Sequence, residues 1–339
     1  MRKPFLLSAA MLALAVSGSV HAQDKSTSAH SRFYLKAAGG YFFSVSPGQF
    51  PNVGPLPPED RRIEVNTATG AQTVLSRKVL TGSYGEGVRG GLTVGYDINK
   101  YLSVEASFNY YHSKKNLMTR SLATAAGSGT ILTNVESYGH VNAVDFAPSL
   151  VVSPGLEKVN PYVRFGVVVP LYGRLYIETD AFQLNRPPAG APLPPGTMIQ
   201  TNIHRKEEIK PNATIGFQGA LGVSFAVARR FNIFVEAEYR NVPVKGKEKE
   251  ITTYTETNKA INPASGATIA DLPGRSLNDL SVAEKNTKYV TTLDQNSNTP
   301  TGQSGSKVTY KNDNAPANDL KSYINIGGLG VNAGVKFRL

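Results

Sequence analysis

Ten charged side chains occupy segments whose neighbours are too apolar for an ordinary water-facing surface. Lys36, Arg89, Arg164, Arg174, Arg240 and Lys336 bring six positive charges, and Glu105, Asp145, Glu236 and Glu238 bring four negative ones. Each falls at an alternate position in an apolar run, so in an extended chain it points away from the apolar face. Charges enclosed away from water are stable only when paired or hydrated. The chemistry expected of them is a network of ion pairs lining an interior, with Arg89 and Glu105 as one pair because their segments are neighbours. Such a network either fills the interior as a polar plug or lines a narrow path for small solutes or ions.

Other chemistry finds little support. Acyl transfer would need a serine activated by a histidine that is itself oriented. His112 adjoins Ser113 and His140 lies near Ser137, but neighbours in an extended chain point to opposite faces. His30 adjoins Ser31 in the same way and His204 has no serine beside it, so no catalytic residue is assigned. No histidine or carboxylate pair has a familiar metal-ligand spacing, and with no cysteine in the chain neither a thiolate metal site nor a disulfide is available. No metal or other cofactor is expected. The formal charge is +11, yet no ladder of basic and aromatic residues accompanies it, so nucleic acid is not an expected partner.

Eight segments must position the ten charges. The apolar faces run through Phe33 to Phe43, Val88 to Ile98, Leu102 to Tyr110, Val144 to Val152, Val163 to Leu175, Ile215 to Phe225, Phe231 to Tyr239 and Leu329 to Leu339. Pro148 interrupts the fourth, because proline removes a ladder donor. Connections alternate between short (97–100, 154–160, 228–230) and long (about 46–82, 114–137, 180–210 and 245–321). Apolar alternation in every segment, with short turns at one end and long loops at the other, predicts an all-β fold. It would be an eight-stranded antiparallel up-and-down transmembrane β-barrel with extracellular long loops and both termini in the periplasm. A soluble sandwich would turn polar faces outward.

The N-terminus agrees with export. Arg2 and Lys3 precede an apolar run from Pro4 to Val16, followed by Ser17-Gly18-Ser19-Val20-His21-Ala22. This predicts a signal peptide over residues 1–22, too short in its apolar part for a span of about 20 residues. Residues 23–339 then form the outer-membrane barrel domain. The 32 glycines and 16 tyrosines suit a barrel, glycine on crowded inner positions and tyrosine at the membrane interfaces.

The glycine-rich second segment (Gly87, Gly90, Gly91, Gly95, Tyr96) and the closing Gly-Val-Lys-Phe-Arg-Leu resemble the small eight-stranded outer-membrane barrels of the OmpA, OmpX and OmpW kind. Members of that group usually end on an aromatic residue, whereas here the last aromatic is Phe337 and the final residue Leu339. No peptidoglycan-binding domain is expected after the last strand. The resemblance implies a multi-pass protein of the cell outer membrane, delivered by the barrel-assembly machinery and embedded in outer-membrane lipid and lipopolysaccharide.

Loops on a rigid scaffold commonly carry binding. In the first, Ile63-Glu64-Val65 and Thr73-Val74-Leu75 flank Ala68-Thr69-Gly70, which predicts a hairpin. In the fourth, Ile251 to Thr257 and Lys307 to Lys311 are expected to continue the seventh and eighth strands outward. Basic residues gather in the loops and at the adjoining strand ends, among them Lys114, Lys115, Arg120, Arg205, Lys206, Lys245 and Lys247. They are candidate contacts for lipopolysaccharide phosphates. Two functions remain open at this point. One is a structural scaffold with a largely filled polar lumen whose loops meet an extracellular or host ligand; the other is a narrow porin-like channel.

Overall fold

The computed structural model describes residues 32–45 and 47–339, so the segment expected as a signal peptide lies outside them. Eight strands build the body: β1 (Phe33–Phe43), β2 (Gly87–Asp97), β3 (Leu102–Ser113), β4 (Ile131–Val152), β5 (Val159–Asn185), β6 (Gly216–Ala228), β7 (Phe231–Asn241) and β8 (Gly328–Arg338). Each pairs antiparallel with its neighbours in chain order. The ring closes because β8 returns to β1, from Tyr34 opposite Arg338 to Phe43 opposite Leu329. No strand of the ring is left with an open edge, which a sheet surrounded by hydrocarbon requires.

Burial follows the period of two. On β1 the exposed Phe33, Leu35 and Phe43 alternate with buried Tyr34, Lys36 and Phe42. The outer face of the ring is apolar, with Leu92 68%, Phe217 66% and Leu221 66% exposed. Exposure at this level on so many large apolar residues has a physical explanation only in lipid. Aromatic side chains gather toward both ends of the band. Phe33, Tyr96, Tyr101, Phe231 and Phe337 lie toward the short turns, and Tyr41, Tyr110, Tyr172, Tyr239 and Tyr323 toward the other end. An eleven-residue strand such as β1, rising about 3.3 Å per residue and tilted by about 40°, spans the roughly 25 Å of an outer-membrane core.

Inside, aromatic rings need room, and glycine supplies it. A Cβ on Gly95 would meet the Tyr34 ring, and one on Gly222 would meet the Tyr162 ring, so any larger residue there would displace a ring that fills the bore. Pro148 sits within β4 opposite Ala106 of β3. On the β5 side the ladder shows pairs at Ser149 and Phe146 and none at Pro148, as a residue without an N–H dictates.

Where long loops were expected, the chain keeps pairing. β4 and β5 stay together as far as Thr133 opposite Gln183. Strand Met198–Pro211 adds to β5, and strand Pro243–Ile261 adds to Met198–Pro211. On the other side, Asn116–Ala125 pairs with β4 and lies parallel to Glu59–Val65. The hairpin expected around Ala68-Thr69-Gly70 is present, with Glu59–Val65 against Gln72–Val79. Ile251 to Thr257 does continue beyond β7, within Pro243–Ile261. Lys307 to Lys311 does not continue β8, because Lys307–Tyr310 folds back on Pro300–Ser304. Tyr323–Asn325 instead leads into β8, paired with Pro243–Lys245. About half of the expected loop length is therefore a sheet standing on the barrel. No helix among the described residues is long and apolar enough to cross a membrane.

One irregularity changes which side chains enter the bore. Pro170 faces Asp145 and Tyr172 faces Val144, leaving Leu171 as an extra residue in β5. This bulge resets the alternation by one position. Beyond it Leu175 and Ile177 turn inward, 4% and 2% exposed. Leu175, read from the chain as outward, and Arg174, read as inward, therefore exchange places.

Candidate functional site

The bore holds eight mutually compensating charges. Lys36 on β1 donates to Glu105 Oε1 on β3 at 3.1 Å, and the Tyr34 hydroxyl donates to the same oxygen at 3.0 Å. Arg164 on β5 reaches Glu236, lies 3.3 Å from Glu238 Oε2 on β7 and stands 3.9 Å from Glu105. Arg240 Nη1 lies 3.0 Å from both oxygens of Asp145, and its Nε donates to Glu238. Arg89 donates to Asp145 Oδ2 at 2.9 Å, with its guanidinium against the Phe42 and Tyr111 rings. Neutral donors complete the carboxylates' shells: Asn332 to Glu238 at 2.6 Å, Tyr162 to Glu236 at 2.9 Å and Asn109 to Asp145 at 2.7 Å. Four cations thus face four anions. Arg240 is only 1% exposed, a position where a charge survives because its partners touch it.

The partnership expected between Arg89 and Glu105 does not form. Glu105 lies opposite Gly95, six residues along β2 from Arg89 and so about 20 Å away. Arg89 lies level with Tyr111 and meets Asp145 from the next strand but one. Lys336 stands near the short-turn end, over the Tyr34 ring and 3.8 Å from Asp97, which Arg338 also approaches at 3.7 Å. Arg174 is on the outer face, against the Tyr172 ring and 4.0 Å from Glu208. Tyr162 was missed by the sequence reading because it lies one residue before the segment read as strand five, although the same alternation places it inward. Because the chain has no cysteine, a single introduced one reports its own position. Arg174→Cys is expected to react with a water-soluble maleimide in folded protein and Arg164→Cys only after unfolding. Equal labelling of both would contradict the bulge.

Above the ion network the bore is closed by an apolar cluster. Phe50, Val53, Tyr84, Tyr111, Met118 and Ile177 form its centre with Leu175, Ile209 and Ile324 around them. Met118 is fully buried, and the Tyr111 hydroxyl donates to the Tyr84 carbonyl. Within the network itself a cavity of about 20 Å³ remains among Lys36, Arg89, Arg164, Glu236 and Arg240, room for about one water molecule.

The basic residues outside the bore are spread out and mostly paired. Lys114 lies 3.2 Å from Glu86, Lys115 3.0 Å and Lys206 3.3 Å from Glu178, and Arg120 3.0 Å from Glu136 and 3.6 Å from Asp60. Lys245 lies over the Tyr323 ring, and Lys247 is exposed. Arg205 approaches buried Glu207 at 3.4 Å, opposite Lys249 at 2.9 Å. Burial pushes the Glu207 carboxyl up, but Arg205 and Lys249 outweigh it and hold the group below the usual carboxylate range. The His112 and His140 rings meet at a tilt of 53°, with centroids 5.4 Å apart, on the outer face. Ser113 and Ser137 are fully buried on the inner side, where Ser113 bonds the Val141 N–H and Ser137 bonds Thr179. Neither serine meets a histidine among the contacts of the described residues.

A closed ring of eight antiparallel strands with an apolar exterior and a charged interior is a membrane-spanning β-barrel. Residues 10–261 match the family described as outer membrane protein beta-barrel domain. The chain belongs to that family, and its place is the outer membrane. No curated protein matches the chain. Two solved structures of OmpT, an outer membrane protein of Vibrio cholerae, align over 91% of this chain at 9% identity and a TM-score of 0.09. They are a loop L8 deletion mutant covered over 98% of its length and the in-vitro folded protein covered over 96%. Neither score defines a shared fold.

Proposed function

We propose that this chain is a closed surface scaffold of the outer membrane, with the short turns in the periplasm and the paired strands beyond the bore projecting outside the cell. The observation that carries the proposal is the filled bore: an internally neutral network of eight charges, stoppered by the Tyr84, Tyr111 and Met118 cluster. A bore whose four cations are balanced by four anions needs no passing ion, and the apolar stopper opposes a continuous water column. The projecting sheet offers a rigid surface to ligands in the medium. Purified, heat-modifiable protein in planar bilayers is expected to give no reproducible openings. Openings whose conductance changes with Arg89→Gln or Glu236→Gln would replace this reading with that of a narrow channel.

The outer basic residues fit the same placement, since lipopolysaccharide phosphates surround an outer-leaflet barrel where Lys114, Lys115, Arg120 and Lys206 lie. Their acidic partners fix their positions while leaving donors free for anions. Neutralising these four together is expected to reduce co-purifying lipopolysaccharide. Unchanged retention would remove this part of the proposal.

A further inference from the structure

The outer face of the projecting sheet contains a groove that neither the bore nor the stopper uses. Four adjacent strands cross it in register. One row runs Glu136, Asp180, His204, Thr255 and the next runs Asn134, Phe182, Asn202, Thr257. Tyr138 flanks the first row, and the concavity measures about 320 Å³, at the lower end of the range of small-molecule sites, about 300–1,000 Å³.

Its chemistry is specific. Phe182 is a half-buried aromatic ring on a face that is otherwise polar. The two acids are oriented by neighbours: Asp180 Oδ1 lies 2.7 Å from His204 Nδ1, and Glu136 pairs with Arg120 at 3.0 Å and accepts from the Tyr138 hydroxyl at 3.2 Å. The second oxygen of Asp180 stays available. The Asn134 and Asn202 carboxamides and the Thr255 and Thr257 hydroxyls have no side-chain hydrogen bond within the described residues, so each can offer its donors and acceptors to a ligand.

These properties select a ligand class. An anion would meet two carboxylates, and an apolar molecule would leave carboxylates and amides unpaired at a cost. An extended peptide needs a free strand edge or a series of apolar pockets, whereas β5 and Met198–Pro211 are paired on both sides along the groove. A pyranose fits both halves of the site, because its C–H face is apolar and its rim carries hydroxyls that both donate and accept. We propose that the groove is a saccharide-binding site for a neutral pyranose unit. Phe182 lies under the C–H face of the sugar, and Asn134, Asp180 and Asn202 bond its hydroxyls. The sugar comes either from lipopolysaccharide of the same envelope or from a glycan of another cell.

Saturation-transfer NMR on the full chain, folded in a zwitterionic detergent without a sugar headgroup, tests this whether or not the bore conducts. The probes are methyl glycosides of glucose, galactose and N-acetylglucosamine, and the oligosaccharide released from lipopolysaccharide. Transfer to at least one probe is expected. Phe182→Ala should weaken binding at least about tenfold, the equivalent of one stacked ring or hydrogen-bonded group. Asn134→Ala with Asn202→Ala, which removes no intramolecular side-chain bond, should do the same, and Val74→Ser on the exposed strand Gln72–Val79 should have no effect. Preference for the lipopolysaccharide oligosaccharide would assign the sugar to the envelope, and preference for a simple glycoside to another source; both support the site. Absence of transfer to every probe from heat-modifiable protein, or undiminished transfer in both groove variants, overturns it.

Discussion

Arg240→Met is expected to destabilise the barrel by about 3–5 kcal/mol, the usual result of removing one member of a buried ion pair. Its side chain touches both Asp145 and Glu238 at 1% exposure, so methionine replaces the volume but leaves two carboxylates one cation short. Arg89 still holds Asp145 and Arg164 still holds Glu238, which sets the upper limit on the loss. Removing the imbalance should matter more than removing the bonds. Adding Glu238→Gln leaves Arg89 with Asp145, Lys36 with Glu105 and Arg164 with Glu236, and should recover at least half of the lost stability. Denaturant titration of protein folded in lipid bilayers measures both variants. A double variant less stable than Arg240→Met alone would show that geometry, and not charge balance, governs the bore.

Met118→Ala is expected to loosen the projecting sheet while sparing the barrel beneath it. Met118 is fully buried among Phe50, Tyr84, Val141 and Ile177, and truncation to alanine at such a site costs about 2–5 kcal/mol. That loss falls on the contacts joining Phe50, Val53 and Tyr84 to the inner faces of β3, β4 and β5. Limited proteolysis should therefore cut segment 47–84 faster by about thirtyfold or more. The membrane-embedded strands should stay resistant and heat-modifiable. Cleavage at the unaltered rate would mean that the sheet is held by backbone pairing alone.

The barrel was legible in the chain because lipid imposes a clean code. Each membrane strand needs an unbroken apolar face, and Leu92, Val94, Leu221 and Val235 display it at every second position. Once the strands leave the membrane the code changes. Glu136, Tyr138 and His140 on β4 face outward where apolar residues stood lower down, so the same strand reads as a polar loop although its ladder continues. The Leu171 bulge was hidden for another reason. Leu171, Tyr172 and Leu175 are each compatible with either face, so the one-residue slip leaves no mark in the composition, and Arg174 was assigned by parity alone. The lumen charges needed only parity to be placed inside, whereas their pairing depends on register. Strand alternation says nothing about how far Arg89 lies from Glu105 along the sheet. The saccharide groove is further from view still, because its two rows join residues from four strands spread between positions 134 and 257.

The distribution of the bore charges along the chain bears on how the protein enters its membrane. Lys36, Arg89, Glu105 and Asp145 lie on the first four strands, and Arg164, Glu236, Glu238 and Arg240 on the last four. Each half sums to zero, and counted strand by strand from the N-terminus the excess never exceeds two charges. A half-assembled sheet thus presents the hydrocarbon with little net charge. Two of the ion pairs, Arg240 with Asp145 and Arg164 with Glu105, join the halves; the second can form once β5 has paired with β4, whereas the first reaches from β4 to β7, waits for the second half to curl round, and serves as its electrostatic latch.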